Sequence, residues 1–94
     1  MAHRVVWSYA AATDVESIAT YISGDSPAYA RSVVKEIVRA TQILKNFPNS
    51  GRMVPEFQNS RVREVLAYSY RILYKIEEEQ VLILAVVHGK RNLN

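Results

Sequence analysis

The sequence predicts one α+β domain in which two helices pack on one face of a small antiparallel sheet. Two observations favour this fold. Apolar side chains recur at helical spacing in residues 9–47, whereas residues 61–66, 70–76 and 81–91 form runs of β-branched and apolar residues typical of strands. Helices that come early and strands that come late indicate an α+β arrangement. A chain of 94 residues, 49% of them hydrophobic, suits a single domain (1–94) with one modest core.

The chain is predicted to begin with a short strand and a helix. Residues 5–7 are apolar and predict the strand, and Ser8 is a suitable N-cap for the helix that follows. This helix is predicted over Tyr9–Ser23, because apolar residues recur there at helical spacing, at Val15, Ile18, Ala19 and Ile22. Gly24 and Asp25 end it.

A second helix is predicted from Pro27 to Phe47. Ser26 caps it, Pro27 suits the first helical position, and Pro48 ends it. The face opposite its apolar stripe is basic, and we interpret it as solvated: Arg31, Lys35, Arg39 and Lys45. The two helices form an antiparallel hairpin, residues 49–60 are turn-rich and irregular, and three antiparallel strands complete the predicted sheet.

The pairing of the last two strands decides which side chains share a face. If residues 77–80 form the loop, Ile76 lies opposite Val81, and the register can be followed back from there. The apolar face that receives the helices then carries the pairs Tyr74–Ile83, Ile72–Ala85 and Tyr70–Val87. Arg71 falls opposite Val86 on the other face, and His88 lies diagonal to it on that same face.

The face of Arg63 depends on the length of the preceding hairpin loop. A three-residue loop at residues 67–69 places Arg63 opposite Leu73, on the face of Arg71. A two-residue loop turns it inward, opposite Ile72. Because burying an unpaired guanidinium is costly, we favour the first arrangement. Several strands would then place cations on one face, which suits a polyanion or an acidic partner.

Composition restricts the chemistry that the chain can perform. The formal net charge of +3 and the pI of about 9.4 are a mild basic bias. The absence of cysteine excludes disulfides and thiolate catalysis. With two histidines, His3 and His88, and no paired metal-ligand spacing, neither a metal nor another cofactor is expected. The N-terminal apolar run is too short for a signal peptide or a membrane span, so we expect a cytoplasmic protein without membrane association.

Fragments spread over nearly the whole chain resemble the RelE/ParE superfamily of bacterial type II toxins. They are Trp7-Ser8, Ser26-Pro27-x-x-Ala30, Phe47-Pro48-x-x-Gly51-Arg52-x-Val54-Pro55-Glu56, Arg63-Glu64, Tyr70-Arg71-Ile72-x-Tyr74 and Val87-His88-Gly89-x-Arg91. The resemblance implies a helical hairpin on a small antiparallel sheet. It also implies a growth-arresting toxin that is neutralised by a cognate antitoxin protein. An antitoxin helix would lie in a groove beside the hairpin, or a segment would cover the sheet edge, with acidic residues over the arginines.

The superfamily contains two activities, and the resemblance implies different roles for the same residues in each. In RelE-like nucleases, which cut messenger RNA on the ribosome, Glu56 would be the base, Arg63 and Arg71 would hold the phosphate, and His88 would be the acid. Such nucleases typically carry a C-terminal aromatic residue, which the tail at residues 89–94 lacks.

The His-Gly-x-Arg ending without an aromatic favours the ParE side, whose members inhibit DNA gyrase by binding it. A target-binding surface would then consist of Arg63, Arg71, His88, Lys90 and Arg91. Purely structural roles remain open beside these: a solvated Glu56, a hydrogen-bonded His88, and an Arg71 that pairs with Glu64.

Overall fold

The structure, a computed structural model, describes residues 3–90 and confirms the α+β class. Its elements are β1 (Arg4–Trp7), α1 (Tyr9–Ser23), α2 (Pro27–Ile43), β2 (Arg52–Met53), β3 (Val62–Ala67), β4 (Tyr70–Ile76) and β5 (Gln80–His88). A single 3-10 turn, Pro48–Ser50, joins α2 to β2. Within the described residues, no helix has the length and apolar character needed to cross a bilayer.

Both helix starts are confirmed. Ser8 Oγ accepts the Ala11 N–H at 3.0 Å, and Ser26 Oγ accepts the Tyr29 N–H at 3.1 Å. The predicted end of α2 at Phe47 is wrong, because the helix stops at Ile43. The chain tightens there into 3-10-type bonds, and the Lys45 carbonyl accepts the His3 N–H at 2.8 Å.

The sheet has the order β1-β5-β4-β3-β2 and is mostly antiparallel. β1 runs parallel to β5, with Val5 opposite Val81, and the two helices and the strands β2, β3 and β4 lie between them in the chain. The edge strand β2 was not predicted. It is two residues long, with Arg52 opposite Glu64, and it lies in the segment expected to be irregular.

The predicted register of β4 and β5 holds from Ile76 to Tyr74 and is wrong beyond it. A β-bulge makes Leu84 an extra residue, so that Leu73 lies opposite Ala85 and Arg71 opposite Val87. His88 consequently pairs with Tyr70 on the helix-facing side, away from the face of Arg71. The two rings are in edge-to-face contact, with centroids 5.9 Å apart.

The favoured position of Arg63 is also wrong. Ala67 pairs with Tyr70, which leaves a two-residue turn in which Tyr68 adopts a positive φ of 52°. Arg63 therefore points to the helix-facing side, opposite Tyr74 and not opposite Ile72. The guanidinium is half-buried, and it donates to two backbone acceptors: the Gly51 carbonyl at 3.0 Å and the Ser60 carbonyl at 3.1 Å.

Two apolar clusters hold these elements together. The main core lies between the helices and the sheet and includes Val33, Ile37, Ile72, Tyr74 and Ile83, all fully buried. A second, smaller cluster lies on the other face of the sheet, where Val54 covers Val62 and Leu73. The loop between β2 and β3 (residues 54–61) is therefore packed on the sheet face away from the helices.

Candidate functional site

The sheet face away from the helices carries a buried ionic cluster centred on Arg71. The Arg71 Nη1 donates to Glu56 Oε2 at 2.9 Å, and its Nη2 donates to Glu56 Oε1 at 2.8 Å. Its Nε donates to Glu64 Oε1 at 2.7 Å. The Arg71 side chain is 6% exposed, and this fork-to-carboxylate geometry is the strongest that arginine forms with an acid.

Glu64 extends the cluster to the sheet edge. Its side chain is fully buried, and its second oxygen accepts the Arg52 Nε–H at 2.5 Å. Strand pairing creates the contact, because Arg52 on β2 lies directly opposite Glu64 on β3. We call Arg52, Glu56, Glu64 and Arg71 the Arg–Glu cluster. Two guanidinium groups balance two carboxylates in it, so the cluster as a whole is neutral.

The environment fixes the charge of Arg71. The hydrogen bonding of Arg71 to the Glu56 carboxylate is the largest influence and raises the pKa of Arg71 above its ordinary value. Burial acts in the opposite direction, and the bond and charge of Glu64 add to the rise in pKa. The interpretation that Arg71 pairs with Glu64 is therefore confirmed. The interpretation of Glu56 as a solvated residue is wrong, since its side chain is 11% exposed and bound to Arg71.

A cavity of about 270 Å³ opens beside this cluster, at the end of the sheet. We call it the end cavity. Its lining is basic with an apolar wall: Arg52, Leu66, Tyr68, Ser69, Arg71, His88, Gly89 and Lys90. His88 Nδ1 accepts the Lys90 backbone N–H at 3.3 Å, which leaves Nε2 as the proton-bearing nitrogen of the neutral ring. The end cavity can therefore offer N–H donors from a guanidinium, an imidazole and an ammonium to an anionic group.

A second set of contacts anchors the turn before β2, upstream of the loop that carries Glu56. The buried Tyr74 hydroxyl donates to the Pro48 carbonyl at 2.6 Å and accepts the Gly51 N–H at 3.0 Å. Burial raises the pKa of Tyr74, while the Gly51 bond and the Arg63 charge act to lower it. Gly51 is required here, since a Cβ would lie 2.5 Å from the Tyr74 hydroxyl oxygen and 2.6 Å from the Glu64 carbonyl. Arg63 bonds the Gly51 carbonyl and thus supports this anchor.

The predicted site residues are only partly brought together. Arg71, His88 and Lys90 line the end cavity, although His88 reaches it from the end of β5 and not by the predicted diagonal. Arg63 lies on the opposite face, and Arg91 lies outside the described residues. Arg52 was missed as a site residue. It stands in the quoted Gly51-Arg52 fragment, but without a predicted β2 nothing placed it beside Glu64.

A separate apolar groove runs along the helical hairpin. Its volume is about 500 Å³, and it is lined mainly by small and apolar side chains with cations at its edge: Ala19, Thr20, Ser23, Pro27, Ala30, Arg31, Val34 and Lys35. We call it the hairpin groove. In residues 3–90, no three side chains of His, Cys, Asp or Glu gather in a way that could hold a metal ion.

The sequence and the fold of this chain match those of known proteins. Residues 5–93 match the family model described as ParE toxin of type II toxin–antitoxin system, parDE. The chain is 29% identical over 89 residues to Toxin RelE2 of Caulobacter vibrioides, covering 94% of this chain and 97% of that protein.

Two solved structures share the fold. One is described as the chromosomal ParDE toxin–antitoxin system from P. aeruginosa (TM-score 0.77, 21% identity, 94% of this chain and 97% of that chain). The other is the toxin–antitoxin complex RelBE2 from Mycobacterium tuberculosis (TM-score 0.66, 20% identity, 94% and 99%). Since the family model spans nearly the whole chain, this protein belongs to the ParE toxin family of type II toxin–antitoxin systems, within the RelE/ParE superfamily.

Proposed function

We propose that this toxin arrests growth by binding and inhibiting DNA gyrase in the cytoplasm, and that a cognate antitoxin neutralises it. Membership of the ParE family supports the choice of gyrase as target. One structural observation carries the choice of binding over catalysis: Arg71 and Glu56 are engaged with each other in a bidentate pair. Two of the groups that a nuclease would need are therefore bound to each other.

The alternative, a metal-independent ribonuclease acting on messenger RNA in the ribosome, would need its groups arranged around one phosphate. A base, cations and an acid must lie within hydrogen-bond reach of the reacting atoms. Here Glu56 is bound to Arg71, and Arg63 lies on the other face of the sheet, bonded to the Gly51 and Ser60 carbonyls. This arrangement supports a protein that inhibits its target by binding, through the shape and charge of its surface, and not by catalysis.

The end cavity is the best candidate for the contact with gyrase or its DNA. Arg52 has a side chain that is 65% exposed, His88 and Lys90 are exposed, and Tyr68 supplies an exposed aromatic ring beside them. Exposed aromatic and arginine side chains dominate the binding energy of many interfaces. Arg71 is proposed to support this surface. Arg91, which follows Lys90 in the sequence, is proposed as a further contact.

The antitoxin is proposed to lay an amphipathic helix in the hairpin groove. Two of the structures that share this fold are described as toxin–antitoxin systems or complexes, which supports such a partner. The groove has an apolar floor that includes Ala30 and Val34, and its edge carries Arg31 and Lys35. A helix with an apolar face and flanking acidic residues complements this surface.

Expression of the toxin alone, followed by analysis of DNA and messenger RNA, tests the proposed function. We expect gyrase-dependent DNA breaks, filamentation and, with purified proteins, loss of DNA supercoiling. Messenger RNA cut at codon positions before any DNA damage would overturn the gyrase proposal in favour of the nuclease. Lys90→Glu should weaken gyrase inhibition, whereas Lys45→Glu, which makes the same charge change on the exposed side of the chain after α2, should not.

A further inference from the structure

A cavity of about 340 Å³ lies between α1 and the part of β5 that β1 does not cover. β1 ends at Trp7, opposite Ile83, so later residues of β5 meet side chains of α1 on this side of the sheet. We call this cavity the α1 pocket. It is lined mainly by one face of α1 and by two rings of the sheet: Asp14, Ser17, Ile18, Tyr21, Tyr70 and His88. Ligand pockets usually measure about 300–1,000 Å³, so the α1 pocket suits one side chain better than a large cofactor.

Asp14 gives the α1 pocket a negative charge and an acceptor that the chain does not use. Its Oδ2 accepts the Val86 N–H at 2.9 Å, which fixes the carboxylate at the wall of the pocket. Its Oδ1 has no hydrogen-bond partner among residues 3–90, and none of the basic side chains in that range forms an ion pair with Asp14. A half-buried carboxylate is stabilised when a cation pairs with it, so this carboxylate favours a cationic ligand.

The surroundings of Asp14 are acidic although the chain as a whole carries a net charge of +3. The only charged residues of α1 are Asp14 and Glu16, and both are acidic. The cations that line the hairpin groove and the end cavity do not line the α1 pocket. The local field therefore attracts a cation at a place where most of the molecular surface favours anions.

Two tyrosines favour a guanidinium group over other cations. The side chain of Tyr21 is 83% exposed, and Tyr70 is half-buried with the His88 ring packed edge-to-face against it. Aromatic rings attract cations to their faces. A guanidinium can lie flat on a ring and still donate N–H groups in its own plane to a carboxylate, whereas a lysine ammonium is a strongly hydrated point charge. The apolar side chain of Ile18 suits the methylene stem of such a residue.

We propose that the α1 pocket binds an arginine side chain of the antitoxin, whose guanidinium donates to Asp14 Oδ1 and lies against Tyr21. The pocket and the hairpin groove adjoin opposite sides of α1, because Tyr21 lines the first and the neighbouring Thr20 lines the second. A segment that leaves the groove across α1 therefore reaches the pocket.

This inference rests on the proposed antitoxin for the source of the arginine, and it adds a contact of opposite sign to the one already proposed. The edge of the hairpin groove carries Arg31 and Lys35 and suits acidic residues, whereas the α1 pocket suits a basic one. Two contacts of opposite sign on either side of one helix allow only one direction of the bound segment, which is how charge complementarity fixes the register of a partner.

The pocket is tested first without any partner protein, with N-acetyl-arginine amide as the probe and the Val86 N–H resonance as the NMR signal. Asp14→Asn removes the charge but keeps an oxygen that can accept the Val86 N–H. Glu16→Gln makes the same charge change at an exposed position of α1 outside the pocket. We expect Asp14→Asn to weaken binding of the probe at least about fivefold, because a charge-assisted hydrogen bond is lost. Glu16→Gln should stay within about twofold, since an exposed charge is screened.

The aromatic wall and the choice of guanidinium have their own controls. Tyr21→Leu should weaken binding of the arginine probe about threefold, whereas Tyr9→Leu, at an exposed tyrosine outside the pocket, should not. N-acetyl-citrulline amide has nearly the shape of the arginine probe without its charge, and it should bind at least about fivefold more weakly. N-acetyl-lysine amide that binds as tightly as the arginine probe would overturn the choice of guanidinium.

Calorimetry with the purified antitoxin tests the source of the arginine. Asp14→Asn should weaken antitoxin binding at least about fivefold and Glu16→Gln should not, with thermal unfolding as the check that both variants are folded. Equal probe binding by Asp14→Asn and the unmodified chain would overturn the site and leave Asp14 only its bond to Val86. Loss of probe binding with unchanged antitoxin affinity would overturn the antitoxin as the occupant. Because the probe needs neither antitoxin nor gyrase, failure of the pocket is distinguished from failure of the proposed function.

Discussion

Ion pairs at different depths in this molecule are expected to contribute differently to the stability of the fold. Glu64 lies fully buried between two arginines, Arg71 and Arg52, so its carboxylate has exchanged water for charged hydrogen bonds. Glu36 pairs with Arg39 one turn away on α2, and both side chains remain in contact with solvent. The two pairs have similar geometry, but solvent screens the second, which is why exposed ion pairs contribute little to stability.

Glu64→Ala is expected to lower the free energy of unfolding by about 3–5 kcal/mol, because it leaves Arg71 with a buried charge that is only partly compensated. Glu36→Ala is the matched control, since it also removes one glutamate from an arginine pair, and it should leave stability unchanged. Urea unfolding followed by circular dichroism measures both. A Glu64→Ala protein as stable as the control would mean that the buried cluster is not a stabilising feature.

At the residue scale, the sequence predicted contacts that are local and missed those that depend on the path of a loop. The pairing of Arg71 with Glu64, seven positions apart in one hairpin, was left open as a structural role, although the favoured three-residue loop would have put the two side chains on opposite faces. Glu56 bonds Arg71 from a position fifteen residues earlier, and the turn just before β2 is held by Tyr74 and Arg63, each more than ten positions from Gly51. No local pattern encodes such an anchor, so the loop was expected to be irregular and Glu56 solvated.

At the element scale, the helical hairpin presents one surface that the core does not use. Val34 lines the hairpin groove, whereas Val38, one turn later on α2, is 41% exposed and lies outside the groove lining. These two valines share a helix, a residue type and partial exposure, but differ in their relation to the groove. They form a natural pair for testing where the antitoxin binds.

Val34→Asp is expected to weaken antitoxin binding by about tenfold or more, because it places a charge in an apolar floor and repels an acidic helix. Val38→Asp should bind the antitoxin nearly as well as the unmodified toxin. Calorimetry with the purified antitoxin measures both affinities, and co-expression shows whether Val34→Asp escapes neutralisation. Equal losses for the two variants would place the antitoxin outside the groove.

The helices and strands also show which features of the fold the sequence pattern predicts. The helix starts were correct because Ser8 and Ser26 act on N–H groups three positions away. The strand register failed because residues 81–87 are apolar throughout, and a run without polar alternation does not specify which side chains face the core. The edge strand β2 was missed because two residues are too few to show the alternation of apolar and polar side chains that is typical of a strand.

At the scale of the whole molecule, Tyr74 joins the main core to the turn before β2, upstream of the loop that carries Glu56. Its ring is fully buried among the core residues, and its hydroxyl bonds to both Pro48 and Gly51. Because burial raises the pKa of Tyr74, the folded protein keeps this proton at a pH where the unfolded chain releases it. Stability from this group is complete below the unfolded pKa of about 10 and falls as pH rises through the higher folded value.

Unfolding free energies measured from neutral to alkaline pH should therefore fall above about pH 10 for the unmodified chain. Tyr74→Phe should be less stable at neutral pH by about 1–3 kcal/mol, because the Gly51 N–H and Pro48 carbonyl lose their partner. It should also lose less stability at alkaline pH, since the titrating group is absent. Identical alkaline slopes for the two proteins would contradict the role assigned to Tyr74.

The bulge at Leu84 gives β5 one more residue than β4 in the paired region. Because Leu84 is supernumerary in the ladder, a chain shortened by that residue would keep every other pair of β4 and β5 unchanged. A chain that kept the residue but paired it regularly would instead rotate everything downstream to the opposite side, and the His88 ring would leave Tyr70 for the side of Arg71. Two toxins with the same histidine at the end of this strand can therefore display it on opposite faces, depending only on whether the ladder accommodates one extra residue.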